Sequence, residues 1–160
     1  MSHSETAKTA ASKPRKARIL IIEDSLDHWT IIQNAINESF DLPVAVRVSN
    51  AEQALSYLQN AQDMGTPLPQ VVLLDLYLPT RQQGWQFLEN VKNQPAPVSL
   101  IPVVVLSHSS DPADIVESYD RGASSYLTKP TDLRAWQTCF QTLSEYWWDA
   151  VRLPESRSFQ

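Results

Sequence analysis

The segment Val71-Val72-Leu73-Leu74-Asp75 decides how the rest of the chain is interpreted. It is a continuous apolar run of strand length that ends in a carboxylate. A run without alternating polar residues is typical of a strand that is buried on both faces of a parallel sheet. Because parallel strands need crossover connections, which are usually helices, the segment predicts helical patterns on both sides of it.

Those patterns are present along the whole chain. Strands are predicted at residues 19–22, 43–48, 71–75, 102–107 and 125–128, and helices at 27–39, 51–60, 85–92, 113–121 and 132–151. Five β–α units in succession predict an α/β fold, a doubly wound parallel sheet with helices on both faces.

Composition narrows the class of protein. The chain has 160 residues, of which 42% are hydrophobic, enough for one domain with a core. With 18 acidic and 13 basic residues it is a poor candidate for nucleic-acid binding, which needs clustered Lys and Arg. No apolar run approaches the ~18 residues that span a bilayer. Together with a single cysteine, Cys139, this predicts a cytoplasmic protein with no nucleic-acid and no membrane partner.

The ends of the chain differ in character from its middle. Residues 1–17 are rich in Ser, Thr, Ala and Lys, and they predict a disordered basic leader. The ordered domain is predicted to span residues 18–153, with an extended C-terminal helix, and residues 154–160 to form a tail.

Three carboxylates close two of the predicted strands. Glu23 and Asp24 follow the first strand, and Asp75 ends the third. The carboxyl ends of parallel strands meet at one edge of the sheet, where such sheets bind ligands. Carboxylates close together repel each other, so the cluster favours a cation, and hard oxygen ligands favour Mg²⁺. The alternative is that these acids only cap helices.

A hydroxyl and a cation are predicted at the same edge. Ser107 ends the fourth strand, and Lys129 follows the fifth. Pro130 disfavours helical geometry at Lys129 and is a candidate for a cis peptide bond. The Lys129 ammonium group and Mg²⁺ at one edge would stabilise a phosphoryl group during its transfer. That reaction depends mostly on positioning and electrostatics.

These segments, in this order, resemble the receiver domain of two-component response regulators. The matching segments are ILIIED at 19–24, LLDLYLP at 73–79, VVVLS at 103–107 and RGASSYLTKP at 121–130. The resemblance covers residues 18–151. It implies a flavodoxin-like fold with strand order 2-1-3-4-5.

The resemblance also implies the metal ligands and the phosphoryl acceptor. Asp75 corresponds to the residue that accepts a phosphoryl group from a phosphohistidine of a sensor histidine kinase. Mg²⁺, with Mn²⁺ as an alternative, would be held by Asp24, Asp75 and the backbone carbonyl of Tyr77, and by Glu23 through water.

The remaining roles concern the response to phosphorylation. Ser107 and Lys129 correspond to the residues that contact the phosphoryl oxygens. Tyr126 corresponds to an aromatic switch that turns inward when Ser107 is drawn to the phosphate. The implied protein promotes its own phosphorylation and dephosphorylation but is not a dedicated enzyme.

Two features depart from the family pattern. The loop at residues 79–84 is one residue longer than usual, and His108 stands where a small residue is usual. No second His or Cys lies near His108 in the sequence, so no metal role is predicted for it. His3 and His28 are likewise predicted to belong to no cluster.

The C-terminal segment narrows the resemblance. No effector domain is expected, and residues 143–154 are similar to the single-domain regulators that partner cyanobacterial phytochrome kinases. Tyr146 and Trp148 lie off the predicted core face of the last helix, which predicts a homodimer or kinase-docking face.

Three other readings of the residues stay open at this point. An aspartyl-nucleophile phosphatase commonly carries a second Asp two residues after the nucleophile, where this chain has Tyr77. A flavin-binding module needs a Ser/Thr/Gly-rich loop after the first strand, where this chain is acidic. A degenerate receiver would act only as a scaffold.

Overall fold

The computed structural model describes residues 18–40 and 44–145. Within these residues, five strands alternate with five α-helices, and a short 3₁₀ helix at Val98–Leu100 precedes the fourth strand. The elements are β1 (Arg18–Ile22), α1 (Leu26–Ser39), β2 (Val44–Val48), α2 (Ala51–Met64), β3 (Val71–Asp75), α3 (Arg81–Lys92), β4 (Val103–Ser107), α4 (Pro112–Asp120), β5 (Ser125–Thr128) and α5 (Leu133–Glu145).

The strands form one parallel sheet in the order β2-β1-β3-β4-β5. This confirms the flavodoxin-like, doubly wound fold that the sequence predicts. The register aligns the carboxyl ends of the central strands: Ile22 pairs with Leu74, and Asp75 pairs with Leu106. The residues that follow β1, β3 and β4 therefore lie together at one edge.

The central strands are buried on both sides. Successive side chains of a strand point to opposite faces, so Leu20 and Ile22 join one core cluster, and Ile19 and Ile21 join the other. The first cluster packs under α2 and α3, and the second packs under α1 and α5. The sheet edge is thus carried on a rigid, doubly covered scaffold.

Helix α3 begins four residues earlier than the predicted start at residue 85. Thr80 caps it by accepting a hydrogen bond from the backbone N–H of Gln83. Gly84, predicted to end a loop, lies inside α3, where an added Cβ would stand 2.0 Å from the carbonyl oxygen of Leu76. Glycine is needed there because the helix passes close to the backbone that leaves β3. Most of the loop predicted at residues 79–84 is therefore helical.

The other boundaries agree with the predictions within a few residues. Helix α2 continues to Met64 and ends at Gly65, whose φ of 71° is left-handed and favours glycine. Asp132 caps α5, because its carboxylate accepts a hydrogen bond from the N–H of Ala135. Among the described residues, no helix combines the length and apolarity needed to cross a membrane.

Several predictions concern residues outside the described ranges. They are the leader at 1–17, the proposed contact residues Tyr146 and Trp148, the end of the last helix at 151 and the tail at 154–160.

Candidate functional site

The three predicted carboxylates come together at the sheet edge. Because β1 lies beside β3, Glu23, Asp24 and Asp75 each offer an oxygen within 4.8 Å of the others. Glu23 is buried, Asp75 is largely buried and Asp24 is exposed. A set of carboxylates without Cys or His consists of hard oxygen ligands and fits Mg²⁺ or Mn²⁺.

Asp75 has an unusual electrostatic environment. Its burial, reinforced by the negative charges of Glu23 and Asp24, raises its pKa from 3.8 to about 6, although Lys129 opposes the rise. An ionised Asp75 is therefore held at a cost in free energy. A divalent cation between the carboxylates would offset that cost.

Lys129 reaches into the cluster from the end of β5. Its ammonium nitrogen Nζ lies 3.0 Å from Glu23 Oε1, 3.4 Å from Asp75 Oδ2 and 3.0 Å from His28 Nδ1. Its backbone N–H donates to the carbonyl oxygen of Ser107 at 2.7 Å, which continues the β4–β5 pairing. The side chain is buried, so its charge faces the carboxylates without competing water.

The peptide bond before Pro130 does not have the predicted isomer. Among the described residues, the cis peptide bonds precede Pro79 and Pro97. The bond between Lys129 and Pro130 is not one of them, and trans is the ordinary form of such a bond. The strand pairing of the Lys129 backbone suffices to extend the chain there.

Ser107 and Tyr126 are linked through a residue that the sequence does not single out. Ser107 is buried at the end of β4, and its Oγ accepts a hydrogen bond from the N–H of Ser109 at 3.1 Å. Tyr126, on β5, donates its hydroxyl hydrogen to the carbonyl oxygen of Ser109 at 2.7 Å. Ser109 is therefore hydrogen-bonded to both predicted switch residues, to Ser107 through its N–H and to Tyr126 through its carbonyl oxygen.

Tyr77 stands in the loop after β3, two residues beyond Asp75. Its side chain is exposed, and its hydroxyl donates to Asp114 Oδ2 at 2.9 Å. Coordination of a metal by its backbone carbonyl stays a prediction.

Asp114 is a further buried acid that the sequence reading missed. It accepts hydrogen bonds from Tyr77, Arg81 and Ser109. Its burial acts to raise its pKa, but these hydrogen bonds outweigh the burial and hold the pKa below its ordinary value. From the sequence it looks like an ordinary acid in the first turn of a helix, whereas the structure makes it a junction between the loops after β3 and β4.

The prediction that His28 and His108 belong to no cluster is wrong. Their rings lie 5.4 Å apart, edge to face, and His28 contacts Lys129. Burial, helped by the positive charge of Lys129, lowers the pKa of His108. The two histidines are 80 positions apart in the sequence, so only the fold reveals their proximity.

Comparison with known proteins identifies the family. Residues 19–140 match the family model of the response regulator receiver domain. The chain belongs to this family. This confirms the resemblance carried by the strand-end residues and makes the chain part of a two-component phosphorelay.

The relatives support the narrower resemblance as well. The chain is 31% identical over 144 residues to response regulator Rcp1 of Synechocystis sp., covering 89% of this chain and 96% of that protein. It is similar to the crystal structure of the phosphorylated cyanobacterial phytochrome response regulator RcpA, with a TM-score of 0.78, 31% identity and coverage of 88% and 99% of the two chains. The Mn²⁺-bound form of Rcp1 gives a TM-score of 0.74, 30% identity and the same coverage.

The family match settles the choice of cofactor. Receiver domains hold Mg²⁺ or Mn²⁺ in an acidic pocket, and the carboxylate cluster supplies such a pocket here. The flavin-binding, phosphatase and scaffold alternatives are not favoured.

Proposed function

We propose that this chain accepts a phosphoryl group on Asp75 from a sensor histidine kinase. A carboxylate oxygen of Asp75 forms a bond to phosphorus as the bond from phosphorus to the donor histidine breaks. The observation that carries this proposal is the meeting of a largely buried carboxylate, two more carboxylates and the Lys129 ammonium at one sheet edge.

Charge compensation explains why each part is needed. A phosphoryl group brings negative charge to an edge that already holds three carboxylates. Mg²⁺, held by Glu23, Asp24, Asp75 and the Tyr77 carbonyl, would draw charge from the phosphoryl oxygens while Lys129 does so from the other side. In this role Lys129 contacts the phosphoryl group together with Ser107.

The hydrogen bonds of Ser109 suggest how the state of Asp75 reaches the surface. If Ser107 Oγ turns to a phosphoryl oxygen, it leaves the N–H of Ser109, and the segment that holds Tyr126 is released from one of its anchors. We therefore assign Ser107 and Tyr126 to the switch, with Ser109 between them.

The pathway and the assembly are further proposals. Similarity to RcpA and Rcp1 supports a phytochrome-type kinase as the donor. We also propose that the domain spans residues 18–153, is cytoplasmic, is not a dedicated enzyme and forms a homodimer through Tyr146 and Trp148.

Phosphorylation of Asp75 is tested by mass. Incubation of the full chain with acetyl phosphate and Mg²⁺ is expected to add one phosphoryl group, because Asp75 lies beside Lys129 in the carboxylate cluster and is less deeply buried than Glu23. Asp75→Asn should gain none, and Asp120→Asn, an exposed acid on α4, should label like the wild type. Equal labelling of wild type and Asp75→Asn would refute the assignment.

The metal site is tested by binding. Asp24→Asn is expected to weaken Mg²⁺ binding by at least about tenfold, because one carboxylate charge near a divalent ion is worth several kcal/mol even at an effective dielectric of ~20. Trp29, on the neighbouring helix, provides the fluorescence signal for the titration. Asp27→Asn, exposed three residues along, is the matched control. Unchanged affinity in Asp24→Asn would move the metal elsewhere.

A further inference from the structure

We propose that His28 is a positioning residue for phosphoryl transfer, which accepts a hydrogen bond from Lys129 and aims its ammonium group at Asp75. This inference rests on the proposed phosphorylation of Asp75 and adds a residue to it. Its basis is the 3.0 Å contact between His28 Nδ1 and Lys129 Nζ, beside the contacts of Nζ with Glu23 and Asp75.

The geometry fixes the direction of the hydrogen bond. An ammonium group has three N–H donors and no acceptor, so Nδ1 of His28 must accept, and the imidazole proton lies on Nε2. A proton on Nδ1 would set two donors 3.0 Å apart, although Glu23 Oε2 lies 3.5 Å from the same nitrogen. Lys129 thus donates hydrogen bonds to Glu23 and His28, and Asp75 Oδ2 lies at ion-pair distance, 3.4 Å from Nζ.

A neutral acceptor such as His28, placed beside the two carboxylates, has a specific advantage. The carboxylates of Glu23 and Asp75 carry full negative charges, so they attract the ammonium group more strongly than an uncharged acceptor does. The imidazole of His28 orients one N–H bond of Lys129 without neutralising the charge of the ammonium group. Without His28, that N–H would lack a partner in a buried place, and Nζ would move toward Glu23, its closer carboxylate.

His28 is itself held in place on several sides. It lies in the first turn of α1, where its backbone N–H donates to Ser25 Oγ at 3.2 Å. The N–H of Ser25 donates to Glu23 Oε2 at 3.1 Å, which ties the same turn to the acidic cluster. The ring of His108 meets the ring of His28 edge to face and limits its rotation. The acceptor is therefore set before any phosphoryl donor arrives.

The test compares rates of phosphorylation by acetyl phosphate at saturating Mg²⁺ and one fixed pH. His28→Phe keeps a ring against His108 but has no acceptor, and it is expected to slow labelling of Asp75 about tenfold, the effect of losing one hydrogen bond to a charged group. His28→Asn offers an amide oxygen near the place of Nδ1 and should restore most of the rate. His28→Leu is a second variant without an acceptor and should match His28→Phe.

A double-mutant cycle separates positioning from a general structural effect. In a Lys129→Met background, His28→Phe should cause no further loss of rate, because His28 acts through Lys129. A wild-type rate in a folded His28→Phe or His28→Leu protein would overturn the proposal. So would equal slowing in His28→Asn, or a further loss in the Lys129→Met background. Failure of the wild type itself to label would instead contradict the proposed function.

Discussion

Asp75→Asn is expected to raise the free energy of unfolding of the metal-free protein at neutral pH by up to about 3 kcal/mol. The cause is the environment of Asp75, whose pKa burial raises from 3.8 to about 6. At neutral pH Asp75 is ionised in both states. Its ionisation carries a free-energy cost in the folded chain that is absent in the unfolded chain. Asparagine removes that cost, together with the acceptor of the phosphoryl group.

The sign of the effect sets its pH dependence. Between about pH 4 and pH 6 the folded state binds more protons than the unfolded state, so the contribution of Asp75 to stability falls as the pH rises through this window. Below the window both states are protonated and the penalty is absent. The difference between Asp75→Asn and wild type should therefore be small near pH 4 and fully developed above pH 6.

Urea unfolding in the presence of a chelator, at a series of pH values, measures this difference. Asp120→Asn, with an exposed carboxylate, should follow the wild-type curve. Mg²⁺ should narrow the gap at neutral pH, because it stabilises the wild-type cluster and has fewer charges to bind in the variant. Wild-type and Asp75→Asn curves that stay parallel from pH 4 to pH 7 would contradict the raised pKa of Asp75.

Much of the site could be predicted because it follows from topology. Continuous apolar runs such as Val71–Asp75 mark strands buried in a parallel sheet, and parallel strands bring their carboxyl ends to one edge. The positions of Glu23, Asp24 and Asp75 immediately after such runs therefore place them together without any knowledge of side-chain conformation. The same reasoning places Ser107 and Lys129 at the ends of the neighbouring strands.

What the sequence did not reveal depends on side chains that meet across helices and loops. His108 directly follows β4, which places it at the sheet edge, but His28 lies in the first turn of a helix, and its contact with the His108 ring depends on side-chain positions. Asp114 was missed because two of its partners lie far from it in the sequence: Tyr77 in the loop after β3 and Arg81 at the start of α3. The start of α3 was misjudged because a glycine such as Gly84 usually indicates a loop. Here glycine is required inside the helix, because the backbone of Leu76 passes close to it.

Lys129→Met is expected to lower the free energy of unfolding of the metal-free protein by about 3 kcal/mol or more, the usual cost of leaving one partner of a buried ion pair alone. Methionine keeps most of the aliphatic stem, so the loss reports the missing charge. Glu23, whose side chain is only 1% exposed, would keep a buried carboxylate with no cation 3.0 Å away. Lys129→Arg keeps the charge and is the control for it.

The same variant makes two further tests of the electrostatics of the cluster. Lys129 lowers the pKa of Asp75, so its removal should raise that pKa above about 6 and extend the window of falling stability to higher pH. Mg²⁺ should recover part of the lost stability, because a divalent cation can compensate the same carboxylates, but it should not restore the wild-type rate of phosphorylation. Urea unfolding with and without Mg²⁺ measures both effects. Wild-type stability of Lys129→Met in chelator would mean that the ion pair with Glu23 contributes nothing to folding and that Lys129 serves only the phosphoryl group.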